Sequence, residues 1–175
     1  DLVRSRGLGD VYKRQVSDNT ASNNIEYIGI SLSGCLNNTV SDNIIVNNTR
    51  GIYLHYCDKS VVSGNFMSCN KFNFAVFGYS SSDFDITVDS TNIADGRPIY
   101  YVTNASNLII DQSTNAATVY VIDSQNVTIR ELNLTMNTRG VYLWNTSNSR
   151  IENIVTTDNR EAGVKLEYSS NITIL

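Results

Sequence analysis

Three groups of side chains in this sequence could do chemistry. The first is a recurring aromatic. Tyr53, Phe77, Tyr101, Tyr120 and Tyr142 follow one another at intervals of 24, 24, 19 and 22 residues, and Trp144 lies two residues beyond the last. Flat rings stack on the apolar faces of sugars, and exposed aromatic patches mark binding surfaces. The second group is acidic: Asp83, Asp85 and Asp89 alternate along one short segment. Hydrolysis of a glycan requires two carboxylates flanking the bond. The third is a set of soft donors, Cys35, Cys57 and His55, the residue types that copper favours.

The aromatic spacing belongs to a repeat that runs along most of the chain. Val16, Val40, Val62, Ile86, Ile110, Ile129, Ile151 and Ile174 are all β-branched, at spacings of 24, 22, 24, 24, 19, 22 and 23. Eight residues before each of the last seven come Leu32, Leu54, Gly78, Val102, Val121, Leu143 and Leu166. Ten residues before come Ile30, Ile52, Val76, Tyr100, Val119, Val141 and Val164. Positions two apart share one face of a strand, so these two columns line an interior. Eleven residues before, Gly29, Gly51, Gly140 and Gly163 predict a bend into that strand. Three residues before, Asn37, Asn107, Asn126, Asn148 and Asn171 predict a stacked turn, because Asn tolerates left-handed backbone and its amide can ladder between coils. Lys59 and Asp83 complete that column.

A helical solenoid would need a 3.6-residue period, whereas the local alternation here has period two and Asn, Ser, Thr, Val and Ile dominate. A leucine-rich repeat would carry several leucines per unit. The pattern instead predicts an all-β, right-handed, single-stranded parallel β-helix with about seven coils of about 22 residues. At the strand spacing of a sheet, seven coils rise roughly 34 Å. Each inward aliphatic contributes on the order of 2 kcal/mol, but only when neighbouring coils cover it.

The repeat sorts the reactive groups by face. The recurring aromatic lies nine residues before each reference position, on the outward side, and the next outward column includes His55, Tyr79 and Trp144. Tyr53, Phe77, Tyr101, Tyr120, Tyr142 and Trp144 are therefore the expected ligand-binding residues, although stacked rings also stabilise sheets on their own. The three aspartates read equally as a solvated strand edge. Cys35 and Cys57 occupy a column that continues as Ser81, Ala105, Ser124, Thr146 and Ser169. This column of small residues predicts buried structural thiols. No catalytic residue, metal site or cofactor is expected.

At 175 residues the chain is sized for one domain, with a net charge of −4, a pI near 4.9 and 17 % charged residues. No basic cluster is present, which excludes nucleic acid as the expected partner. No run reaches the length of a membrane span. Three cysteines without CxxC spacing signal neither a zinc site nor a disulfide framework. Residues 1–15 carry dense basic content and none of the repeat, and Ser5 to Gln15 resembles the in-frame translation of a transposase-based sequencing adapter. That segment is set aside as foreign, leaving 16–175 as β-helix. The repeat starts in mid-coil and stops just after a reference position without a polar cap, so a fragment truncated at both ends is expected.

Asn47-Asn48-Thr49-Arg50-Gly51-Ile52-Tyr53-Leu54 and Asn148-Ser149-Arg150-Ile151-Glu152-Asn153 resemble the NosD-like, carbohydrate-binding and sugar-hydrolase-like family of parallel β-helix proteins. The stretch from Ser90 to Tyr101, with Gly96-Arg97-Pro98 before an aromatic pair, resembles a junction recurring in archaeal surface members. The resemblance covers Val16 to Leu175 and implies export to the cell surface or periplasm. Seven Asn-x-Ser/Thr sequons, at Asn37, Asn47, Asn104, Asn126, Asn133, Asn145 and Asn171, fit a surface location, and an Asn/Thr-rich chain also makes them by chance. The polygalacturonase motifs Asp-Asp, Gly-His-Gly and Arg-Ile-Lys do not occur; Arg150-Ile151-Glu152 lacks the lysine. Two functions stay open. One is a non-enzymatic scaffold whose partner is a polysaccharide or cell-surface glycan, or which simply extends other domains. The other is a piece of a glycoside hydrolase or lyase whose catalytic coil lies elsewhere.

Overall fold

The computed structural model describes Arg14 to Leu175, so the segment set aside lies outside the described residues apart from Arg14 and Gln15. The first three coils each contribute three strands. They are β1 (Gln15–Ser17), β2 (Thr20–Ser22) and β3 (Ile28–Ser33), then β4 (Thr39–Ser41), β5 (Ile44–Val46) and β6 (Arg50–His55), then β7 (Val61–Ser63), β8 (Phe66–Ser68) and β9 (Phe72–Phe77). A 3-10 turn over Ser81–Phe84 precedes two short strands, β10 (Thr87–Val88) and β11 (Ile93–Ala94). The chain continues as β12 (Arg97–Thr103), β13 (Ser106–Ile110), β14 (Thr118–Ile122), β15 (Gln125–Arg130) and β16 (Asn133–Thr135). It ends with β17 (Arg139–Trp144), β18 (Ser147–Glu152), β19 (Val155–Thr157), β20 (Ala162–Glu167) and β21 (Ser170–Ile174). One longer strand per coil, β3, β6, β9, β12, β14, β17 and β20, gives the seven coils expected. The molecule is a right-handed parallel β-solenoid.

The register splits the solenoid into two stacks. In the first, β1-β4-β7-β10, β2-β5-β8-β11 and β3-β6-β9 form three walls of a column. In the second, β12-β14-β17-β20, β13-β15-β18-β21 and β16-β19 do the same. Among the described strand pairings one is antiparallel, β11 with β12, and it fuses the two stacks into an eight-stranded sheet. Gly96, with a left-handed φ of +79°, makes that tight turn before Pro98. Strand β9 is therefore not followed by β12, as a continuous helix would require.

The pairing register corrects the columns read from spacing. In the second stack Ile110, Ile129, Ile151 and Ile174 pair as expected, and so do Tyr101, Tyr120 and Tyr142. In the first stack Val16, Val40 and Val62 pair as expected, but Val62 meets Val88, not Ile86. Likewise Leu54 meets Val76, not Gly78, and Tyr53 meets Ala75, not Phe77. Both departures lie inside the first stack: the 3-10 turn lengthens the chain between β9 and β10, so partners are 22 residues apart before it and 26 after it, and a uniform step of 24 misses each by two.

Two hydrophobic columns follow from this. One runs through Val40, Ile45, Ile52, Leu54, Val62, Met67, Phe74 and Val76. The other runs through Val119, Val121, Val127, Ile129, Val141, Leu143 and Ile151. Gly51 belongs where coils nearly touch, since a Cβ there would lie 2.3 Å from the Asn73 carbonyl oxygen. The predicted turn column is left-handed at Asn37, Lys59, Asn107, Asn126, Asn148 and Asn171, and Asn126 and Asn171 donate to the Asn one coil back, at 2.6 and 2.7 Å. Asp83 is the exception, because it lies in the 3-10 turn.

Two buried Asn ladders were not anticipated. In one, Asn19, Asn43 and Asn65 each donate Nδ2 to the Oδ1 of the next member, ending at Asn92, over 3.2, 2.9 and 2.8 Å. In the other, Asn24 donates to Asn48 and Asn48 to Asn70 over 2.7 and 3.0 Å. Each amide also reaches backbone carbonyls, as Asn65 does to Val40 at 2.8 Å, so the turns of the first stack are satisfied from within.

Candidate functional site

The expected outward aromatic strip divides at the junction. Tyr53 and Phe77 stay on the outer face of the first stack, half-buried. Tyr120, Tyr142 and Trp144 are 0, 1 and 3 % exposed, which corrects their assignment to the surface. They belong to the hydrophobic cluster of the first stack, and Tyr101 packs against it. The physical reason is the open end of that stack: Phe74 and Phe84 would face water, and the outer face of β12-β14-β17 covers them. Ring centroids lie 5.7 Å apart for Phe74 and Tyr120, and 4.6 Å apart for Phe84 and Trp144. The Tyr101 hydroxyl donates to the Phe84 carbonyl at 2.8 Å.

Arg139 locks the joint. It is 2 % exposed and its guanidinium lies 4.3 Å from the Phe77 ring centroid and 4.2 Å from that of Tyr142. It donates to the Val76 carbonyl at 2.9 Å, covering the edge of β9 that lacks a further strand, and pairs with Glu161. Burial works against the Glu161 carboxylate, but Arg139 and Lys165 hold its pKa below the usual value.

What remains outside is a compact aromatic surface on β6 and β9. Alternation in Arg50–His55 sends Ile52 and Leu54 inward and Tyr53 and His55 outward. Ala75, opposite Tyr53 in register, leaves room for its ring to tilt onto Phe77, at 5.0 Å between centroids. Tyr56, left-handed at φ 54°, turns its ring onto His55 at 3.8 Å and lies 5.6 Å from Tyr79. Tyr79 is 76 % exposed. The Arg50 guanidinium lies 5.2 Å from the Tyr53 centroid. Tyr56 escaped the sequence reading because it falls between the outward columns. Its signal was the run His55-Tyr56 at a coil corner.

The aspartates are separated. Phe84, 1 % exposed, pulls its segment into a turn instead of a strand. Asp83 accepts hydrogen bonds from the Tyr79 and Ser80 amides at 2.9 Å each and from the Ser80 hydroxyl at 2.8 Å. Burial opposes the charge, yet these bonds hold the Asp83 pKa below the ordinary carboxylate value. Gly78 is required beneath it, since a Cβ there would lie 2.2 Å from that of Asp83. Asp83 thus positions Tyr79. Asp89 accepts from the Thr91 amide at 3.1 Å. Asp85 alone of the three lines a cleft of about 300 Å³, together with Ser81, Ser82, Phe84, Thr103, Asn104 and Asp123. Asp123 there accepts from Ser81 and Asn145, at 2.8 and 2.6 Å.

A solenoid of parallel-paired coils, with one antiparallel junction and a ring-faced outer wall, defines a β-helix scaffold. Residues 74–175 match the family described as "Right handed beta helix region", and residues 7–111 match "Periplasmic copper-binding protein (NosD)". The chain belongs to this NosD-like right-handed β-helix family, whose description is periplasmic. No curated protein and no solved structure matches it. Among the described residues no helix is long and apolar enough to cross a membrane.

Proposed function

We propose that this β-helix scaffold holds polysaccharide against the outer wall of its first stack. The carrying observation is the cluster of Tyr53, His55, Tyr56, Phe77 and Tyr79. Its rings lie side by side on a rigid sheet, and the outermost is 76 % exposed. Rings on a fixed wall stack on sugar at little entropic cost, and Arg50 supplies a donor at the rim. Copper, which the family description names, does not enter this proposal. Among the described residues no three His, Cys, Asp or Glu side chains converge. His55, the chain's one histidine, lies on the Tyr56 ring, and Cys35 and Cys57 are buried. This donor set does not fit a copper centre.

Affinity electrophoresis through gels containing xylan, pectin, alginate or β-glucan tests the reading. Wild type is expected to be retarded by at least one of them. Tyr53→Ala with Tyr79→Ala is expected to weaken retention about tenfold or more, at about 1 kcal/mol per stacked ring. Unchanged retention of that variant, shown folded by circular dichroism, rejects the surface. Wild type that none of the gels retards rejects polysaccharide as the partner.

A further inference from the structure

Cys35 and Cys57 occupy the same position in adjacent coils of the first stack, just past β3 and β6. Hydrogen bonding between the coils continues past the strand ends through both: Gly34 donates to the His55 carbonyl at 2.8 Å, Cys35 to Tyr56 at 3.0 Å, and Asn37 to Asp58 at 3.0 Å. The two backbones are therefore held at the spacing of neighbouring strands, about 4.8 Å, inside the range of about 4.4–6.8 Å that a disulfide spans. The sulfurs point at each other, 3.1 Å apart. A bond needs about 2.05 Å, so closing it takes a side-chain rotation and no shift of register. The second stack fills the corresponding position differently. There Ser124 and Ser169 accept from the amides of Ala105 and Thr146, at 3.0 and 3.1 Å, and stitch the coils by hydrogen bonds.

We propose that Cys35 and Cys57 form a disulfide that staples the first stack, made by thiol–disulfide exchange with an external disulfide in the oxidising periplasm that the family description implies. In the first step one of the two thiolates attacks one sulfur of the external disulfide, giving a mixed disulfide and one released thiolate. In the second the other cysteine's thiolate attacks the protein sulfur of that mixed disulfide and expels the second external thiolate. Two protein thiols lose two electrons, the external disulfide gains them, and the two protons end on the released thiols. Because both sulfurs are buried in the finished coil, exchange takes place while the coils close. Cys69, exposed and in another column, stays free.

Thiol counting tests the staple independently of any ligand. The protein is produced with export to the periplasm, quenched in acid, unfolded and alkylated without reductant, and its intact mass is read. One alkylated cysteine is expected, rising to the chain's three after reduction, with a Cys35–Cys57 crosslinked peptide in the unreduced digest. Cys35→Ser is expected to leave Cys57 and Cys69 both alkylated. Three alkylated cysteines in the unreduced sample, persisting when the protein is refolded with oxidised glutathione, overturn the proposal. So does a crosslink that includes Cys69.

Discussion

The amides of the buried ladders and the guanidinium of Arg139 are the polar side chains on which this fold leans hardest. Asn65 accepts from the Asn43 amide and side chain and donates to Val40, Ser63 and Asn92. Asn65→Ala strands the Asn43 amide in the interior and takes the acceptor from the Asn43 side chain. Its expected cost is at least about 2 kcal/mol, read as a lowered urea midpoint. Arg139→Ala leaves the Val76 carbonyl bare and Glu161 with Lys165 alone, and is expected to cost about 1–3 kcal/mol. Trp144, the chain's one tryptophan, is buried against Phe84 and reports the joint directly by fluorescence. The pH dependence follows from Glu161. Its pKa is depressed in the folded protein, so its contribution is complete above the unfolded value of about 4.3 and is lost as pH falls through the folded one. Asp83 and Asp111 are depressed as well. Comparison with Glu161→Gln therefore isolates the clamp: above the unfolded value of about 4.3 wild type should be the more stable, and the two proteins should converge only as pH falls through the depressed folded pKa.

At the scale of elements, the decisive event is the antiparallel turn between β11 and β12. It swings the second stack so that the outer face of β12-β14-β17, not a further coil, closes the end of the first. An open β-helix end exposes both apolar side chains and unpaired strand edges, and covering it removes both liabilities. Tyr120→Ala should open a cavity at that joint and cost about 3–5 kcal/mol, with the Trp144 emission shifting to the red. The same variant should keep polysaccharide retention while it remains folded, since Tyr53 and Tyr79 stack on His55, Phe77 and Tyr56 and not on Tyr120. Loss of retention at Tyr120→Ala equal to that at Tyr53→Ala with Tyr79→Ala would place the binding surface at the joint instead.

In the whole molecule, two short columns share one sheet and one packed joint. Stability in such a solenoid is a sum over neighbouring coils, and the joint adds a contact between residues far apart in sequence, as between Arg139 and Val76. Amide hydrogen exchange should be slowest in β9, β14 and β17, which meet there, and fastest in β1 and β21, each paired with one strand only.

The repeat alone determined the parallel β-helix, the inward aliphatic columns and the left-handed Asn corners, because each depends on contacts between successive coils, which repeat at near-constant spacing in sequence. It also located Tyr53, Phe77, His55 and Tyr79 on an outer face. It left open which outer faces meet water. Tyr101, Tyr120 and Tyr142 obey the same period as a surface column, and their burial comes from a second stack folding back across an end. Nothing in the local alternation distinguishes an outward ring covered by another element from one left bare. Only the tertiary structure decided that, through one reversed strand pairing.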